Sequence, residues 1–183
     1  MKLLRTIRLD ASDRFVFDRA AEAGEWAVSG AFLFSDAEPE TLSGKARTAF
    51  RSGLLGIASL GWSTLAVVTE ASADECDSAF DLLADQFVRR LGAPDDAAAR
   101  RAAAEEIEFA ASLCDHPAQT LIAVYRVWDG ADIRERFRTL RPRDDAAGAM
   151  WHDKVFAFIL EDGTDAAAGE AVNFDTLMKR DHP

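Results

Sequence analysis

The segment that decides the fold lies late in the chain, where residues 119–141 read QTLIAVYRVWDGADIRERFRTLR. Residues 119–128 and 131–141 have the composition of strands, and they flank Asp129-Gly130, a pair that strongly favours a short β-hairpin. A two-residue turn at this pair predicts that Trp128 lies opposite Ala131. Counting back along the ladder then places Arg126 opposite Ile133.

The predicted hairpin gathers arginines on one face of the sheet. Successive side chains of a strand alternate between the two faces, so Arg134, Arg136 and Arg138 project together. Their positive charges repel each other unless negative groups nearby neutralise them. The predicted opposite pairs on this face are Tyr125–Arg134, Ala123–Arg136 and Leu121–Arg138. Two further arginines, Arg141 and Arg143, lie just beyond these pairs.

Two interpretations of this arginine face are open at the level of sequence. In the first, helix carboxylates neutralise the arginines, or their aliphatic stems cover an open sheet face with Arg134 resting on Tyr125. In the second, the face binds a carboxylate- or phosphate-bearing ligand or an acidic partner, because the planar guanidinium suits bidentate recognition. The candidate ligand-binding residues are Arg134, Arg136, Arg138, Tyr125 and Arg141.

Helices are predicted before the hairpin. Ser72-Ala73-Asp74-Glu75 has the pattern of a capping box and opens a helix that ends at Gly92-Ala93-Pro94. An alanine-rich helix follows over 95–114, and Pro117 prevents its continuation because a proline disfavours helical geometry in the residue before it. An earlier helix is predicted from Pro39 to Gly53.

The first part of the chain is predicted to form strands. Strands at 3–9, 14–19 and 25–34 suggest an antiparallel meander, and further strands are predicted at 62–70 and 154–160. The fold class is therefore α+β, with an antiparallel sheet of about six strands covered by about three helices. Residues 1–183 are predicted to form a single domain, with an acidic, loosely ordered C-terminal segment at 161–183.

Composition narrows the class of protein. The net charge of −11 disfavours binding to nucleic acid or to anionic lipid, whose phosphates the protein repels. The chain has no run of 18 apolar residues and no signal-peptide pattern at its start, so we expect no membrane span and a cytoplasmic protein. Its 17 arginines against 4 lysines, with abundant alanine, suggest a GC-rich bacterial source.

The search for catalytic and metal-binding patterns finds one weak constellation, Cys114-Asp115-His116, with His152 further along the chain. Cys114 ends a predicted helix, where the helix dipole disfavours a thiolate. Cys76 and Cys114 both fall on apolar helix faces, so buried reduced thiols are favoured over a disulfide. We expect no bound metal and no cofactor.

Three segments resemble a small uncharacterised alphaproteobacterial family of unknown function. They are MKLLRTIRL at 1–9, GEWAVSGAF at 24–32 and RERFRTLRP at 134–142, so the resemblance spans nearly the whole chain. The resemblance implies a bacterial cytoplasmic protein and supplies no catalytic residue and no substrate. The favoured function is therefore a non-catalytic binding or accessory protein, and the alternative is a small enzyme whose dispersed site includes His116 or His152.

Overall fold

The computed structural model describes residues 1–9, 11–141 and 157–158. Two 3-10 turns, Ala31–Phe34 and Pro39–Thr41, accompany the strands and helices of this part of the chain. In chain order these are β1 Lys2–Ile7, α1 Asp13–Val16, β2 Trp26–Val28, α2 Gly44–Ser52, β3 Leu54–Gly56, β4 Trp62–Ser63, β5 Leu65–Glu70, α3 Ala73–Arg90, α4 Asp96–Ser112, β6 Leu121–Trp128, β7 Ile133–Arg141 and β8 Ala157–Phe158.

The described strands form one antiparallel sheet in the order β4-β3-β2-β1-β5-β6-β7-β8. The α+β class is confirmed, with eight strands in place of about six. Two differences raise the number of strands. The predicted strand at 62–70 is divided into β4 and β5, and β3 was not predicted because its three residues are too few to show an alternating pattern. β8 lies within the strand predicted at 154–160.

The strand predicted at 14–19 is wrong. The chain instead makes the short helix α1, which leaves the Phe15 side chain 74% exposed. The cause is a contact distant in sequence: the buried Asp13 carboxylate accepts hydrogen bonds from Thr64 Oγ1 at 2.5 Å and from Ser63 Oγ at 3.3 Å. Phe17, just past this turn, is buried in the core.

The strand predicted at 25–34 is shorter than expected. Only Trp26–Val28 is extended, because Gly30 adopts a positive φ of 80° and the chain then enters the 3-10 turn Ala31–Phe34. A Cβ atom at Gly30 would lie 2.6 Å from Leu55 Cβ, so the close packing of this turn requires glycine. The turn places Phe34 against Phe50 of α2.

The three predicted helices are confirmed as α2, α3 and α4. The Ser72–Glu75 capping box is formed, with the Glu75 backbone N–H donating to Ser72 Oγ and the Ser72 backbone N–H donating to Glu75 Oε2. Asp95 caps α4 by accepting from the Ala98 backbone N–H. The helix predicted at 39–53 is divided into the Pro39–Thr41 turn and α2. Helices α3 and α4 pack on each other and share the largest apolar core cluster with residues of β1, β2 and β3.

The β6–β7 hairpin forms with a different register from the one predicted. Trp128 lies opposite Ile133, so the loop has four residues, 129–132, in place of two. The Asp129 carboxylate accepts from the backbone N–H groups of Ala131 and Asp132, and Gly130 takes a positive φ. The shift is two residues, an even number, so every side chain keeps its predicted face.

Helix α2 lies beside the part of β6 that does not pair with β5. β5 pairs with β6 only at Leu121 and Ile122, and α2 contacts the later part of β6 through Tyr125 and Arg126. No helix among the described residues is long and apolar enough to cross a membrane. The predicted loosely ordered segment at 161–183 lies outside the described residues, and the single-domain assignment for 1–183 stays a prediction.

Candidate functional site

The arginine face of β7 is present. Arg134, Arg136 and Arg138 are all exposed and alternate with the partly buried Glu135 and Phe137. Their predicted partners in β6 are wrong by two residues, because the loop is longer: Arg134 lies opposite Val127, Arg136 opposite Tyr125 and Arg138 opposite Ala123. Arg141 ends β7 opposite Ala157, and its side chain lies outside the described residues.

The three arginines differ in whether an acidic side chain pairs with them. Arg134 Nε donates to Asp129 Oδ2 at 2.6 Å, and this hydrogen bond is the main reason that the pKa of Asp129 falls to about 2. The same contact raises the pKa of Arg134. Among the described side chains, none forms an ion pair or a hydrogen bond with Arg136 or Arg138. Within the part of the chain that the structure describes, these two guanidinium groups are exposed and have no acidic partner.

Tyr125 contacts a different arginine from the one expected. Arg51 of α2 donates from Nη2 to the Tyr125 hydroxyl at 2.9 Å, and its guanidinium carbon lies 5.3 Å from the centre of the ring. The prediction that Arg134 rests on Tyr125 is wrong, because Arg134 is opposite Val127 and pairs with Asp129. Helix α2 also presents the exposed Arg47 one turn earlier, so the helix adds two arginines that the analysis of the sequence missed. Their spacing of four residues on an amphipathic helix was the available signal.

An open depression of about 260 Å³ lies between α2 and β6. Both polar and apolar side chains line it, among them Glu40, Arg47, Arg51, Tyr125, Val127 and Trp128. A second depression of about 160 Å³ adjoins it, since the two share Pro39, Glu40 and Trp128. We call the two depressions together the trough.

Beneath the trough, Arg126 is fully buried and forms a fully bonded ionic network. Its Nε donates to Glu135 Oε1 at 2.6 Å. Arg126 lies opposite Glu135 in the hairpin and not opposite Ile133 as predicted. Nη1 donates to the carbonyls of Phe50 at 3.1 Å and Gly53 at 2.7 Å, and Nη2 donates to the carbonyl and hydroxyl oxygens of Ser29. All five N–H groups of the guanidinium are thus used, which joins the hairpin to the end of α2 and to the turn after β2.

Glu106 of α4 approaches the same network. Burial raises its pKa to about 7, with a further contribution from the negative charge of Glu135, while Arg126 acts in the opposite direction. Its buried Oε2 atom has no hydrogen-bond partner among the described residues. Arg126 and Glu135 already balance each other in charge. An ionised Glu106 would therefore add an uncompensated negative charge to the buried network, and a protonated Glu106 would not.

The catalytic alternative gains little from the structure. Cys114 is buried, its thiol donates to the Ala110 carbonyl at 3.3 Å, and burial raises its pKa to about 11, which disfavours a nucleophilic thiolate at neutral pH. The His116 carbonyl accepts from Lys2 Nζ, and His152 lies outside the described residues. Within the described ranges, no group of three or more His, Cys, Asp or Glu residues is placed to hold a metal. The absence of a metal and of a cofactor stays a prediction.

Comparisons with known proteins place the chain in a family without supplying a function. No curated protein and no solved structure matches it. One family model does, and it covers residues 1–154, which include the arginine face, the trough and the Arg126 network. The chain belongs to the family of unknown function DUF6505.

Proposed function

We propose that this protein is a non-catalytic binding or accessory protein that recognises an anionic ligand or an acidic partner through the arginine face. The observation that carries the proposal is the pair Arg136 and Arg138, exposed on one strand face with no acidic partner among the described residues. The pair belongs to a chain of net charge −11, in which acidic residues are abundant enough to neutralise it.

The chemistry of the face favours carboxylate or phosphate groups. A guanidinium presents N–H donors in a planar fork, and two adjacent arginines on alternate positions of a strand can hold one bidentate group each. The repulsion between their charges is relieved when an anion binds. A nucleic acid is disfavoured because the rest of the molecule repels its extended phosphate backbone.

We also propose a cytoplasmic location and a bacterial source. Cys76 and Cys114 are both free thiols, which is usual in a reducing compartment. The preference for arginine over lysine, together with the abundant alanine, supports a bacterial genome rich in GC.

The test is the double variant Arg136→Glu with Arg138→Glu. The matched control is Arg14→Glu with Arg101→Glu, which changes the net charge equally at two exposed arginines elsewhere on the surface. Wild type and control are expected to give the same thermal shifts with a panel of di- and tricarboxylates and phosphate esters, and the arginine-face variant is expected to lose them. If the folded arginine-face variant responds as wild type does, the face is not the binding site.

A further inference from the structure

We propose that the trough between α2 and β6 is a second binding site, and that its ligand is a small zwitterion of the amino-acid class, with one carboxylate and one ammonium group. This site lies beside the arginine face and goes beyond the proposed function. The inference follows from the charges along the trough: the arginines line only the larger depression, the carboxylates line the smaller one, and apolar side chains line both.

The basic end is formed by Arg47 and Arg51, which lie one turn apart on α2 and line the larger depression. Arg51 is held in place by the Tyr125 hydroxyl and by the face of its ring. Neither arginine forms an ion pair with any acidic side chain in the described part of the chain. A carboxylate entering here would find two guanidinium groups that no described carboxylate pairs with.

The acidic end is formed by Glu38 and Glu40, on either side of Pro39. Both side chains are exposed and line the smaller depression, and Glu40 lines the larger one as well. The Pro39–Thr41 turn holds the backbone, since the Thr41 N–H and hydroxyl both donate to the Glu38 carbonyl. No cationic side chain among those described lies within ion-pair distance of either carboxylate.

The separation of these charges is the informative feature. Glu40 shares a depression with two arginines and forms no ion pair with them, so the two signs face the same space without contact. A purely anionic ligand would be attracted by the arginines and repelled by the carboxylates. A ligand with both charges satisfies both ends at once, because each of its groups meets the opposite sign.

The middle and the size of the trough limit the rest of the ligand. Val127, Pro39 and Trp128 supply an apolar floor, and Trp128 packs against the core cluster that contains Phe34 and Phe50. The two depressions of the trough, at about 260 and 160 Å³, together reach only the lower end of the range of roughly 300–1,000 Å³ that is usual for drug-sized ligands. An amino acid fits this description, whereas a nucleotide or a coenzyme is too large and carries too much negative charge.

The experiment is a titration of the full chain with the common free amino acids at concentrations up to about 10 mM, followed by amide chemical shifts and calorimetry. At least one amino acid is expected to bind and to shift the signals of Val127 and Trp128. Its N-acetyl derivative, which lacks the ammonium charge, and its amide, which lacks the carboxylate, are each expected to bind about tenfold more weakly or worse.

Two variants assign the charges, and a third separates this site from the arginine face. Glu40→Gln is expected to weaken the amino acid but not its N-acetyl derivative, which should bind as well as before or better because a carboxylate that repels this anion is gone. Arg47→Gln is expected to weaken both compounds about tenfold or more. Arg136→Gln with Arg138→Gln, which disables the arginine face, is expected to leave amino-acid binding as it is in the wild type. Circular dichroism and the melting temperature verify that each variant is folded.

Three results would overturn the inference. The first is that no free amino acid binds the wild-type chain in the titrated range. The second is that the N-acetyl derivative binds as tightly as its parent, which would make the trough a simple anion site. The third is that Glu40→Gln and Arg47→Gln both bind the amino acid as the wild type does. Loss of binding in the Arg136 and Arg138 variant alone would move the ligand to the arginine face.

Discussion

Replacing Arg126 with methionine tests how much the buried guanidinium contributes to stability. Methionine keeps an unbranched apolar stem but lacks the guanidinium and all five of its donors, so the carbonyls of Phe50, Gly53 and Ser29 lose their partner. The Glu135 side chain, 15% exposed, also loses its countercharge. Breaking one side of a buried ion pair costs about 3–5 kcal/mol, and we expect a loss of that size in the free energy of unfolding.

The assay is urea denaturation followed by circular dichroism, which reports the free energy of unfolding and its dependence on urea. At roughly 2–4 °C per kcal/mol for a chain of this size, the melting temperature is expected to fall by about 6–20 °C. The matched control is Arg138→Met, the same substitution at an exposed position on the adjacent strand, which should change stability by less than about 0.5 kcal/mol. A loss below about 1 kcal/mol for Arg126→Met would refute the reasoning.

Three further predictions concern other parts of the molecule. Because the pKa of Glu106 is raised to about 7, the folded state holds a proton that the unfolded state releases near pH 4.5. Wild-type stability should therefore fall relative to Glu106→Gln as the pH rises from about 4.5 to 7, and melting curves that stay parallel over this range would contradict the assignment. Cys114 should resist iodoacetamide at pH 8 in the folded protein while the partly buried Cys76 reacts faster, as peptide mass mapping would show. Ser72→Ala removes the cap of α3 and should cost about 1 kcal/mol in urea denaturation, and no loss would mean that the cap contributes nothing.

Features set by neighbouring residues could be predicted from the sequence. The capping box at Ser72 uses groups three residues apart, so its pattern is complete in a short window. The common face of Arg134, Arg136 and Arg138 depends only on the alternation of a strand, and it holds although the register of the hairpin was wrong by two residues.

Features set by distant contacts could not be predicted in the same way. The sequence around Phe15 is compatible with a strand, and a hydrogen bond from Thr64 to Asp13, 51 positions apart, accompanies the helical turn that replaces it. The Asp129 carboxylate, which binds two backbone N–H groups, lengthens a loop that its dipeptide alone predicted to be a tight turn. Likewise, nothing near Tyr125 in the sequence identifies Arg51 as its partner.

The connections of Arg126 also bear on the order in which the protein assembles. Its carbonyl partners at Gly53 and Ser29 lie 73 and 97 positions away along the chain, so the network closes only after the two halves of the sheet have met. Removing a guanidinium from water costs free energy, and only its hydrogen bonds and ion pair offset that cost. Burial before the acceptors are in place is therefore unfavourable. We therefore expect the network to form after the rate-limiting step of folding. Its loss should leave the folding rate nearly unchanged and shorten the lifetime of the native state.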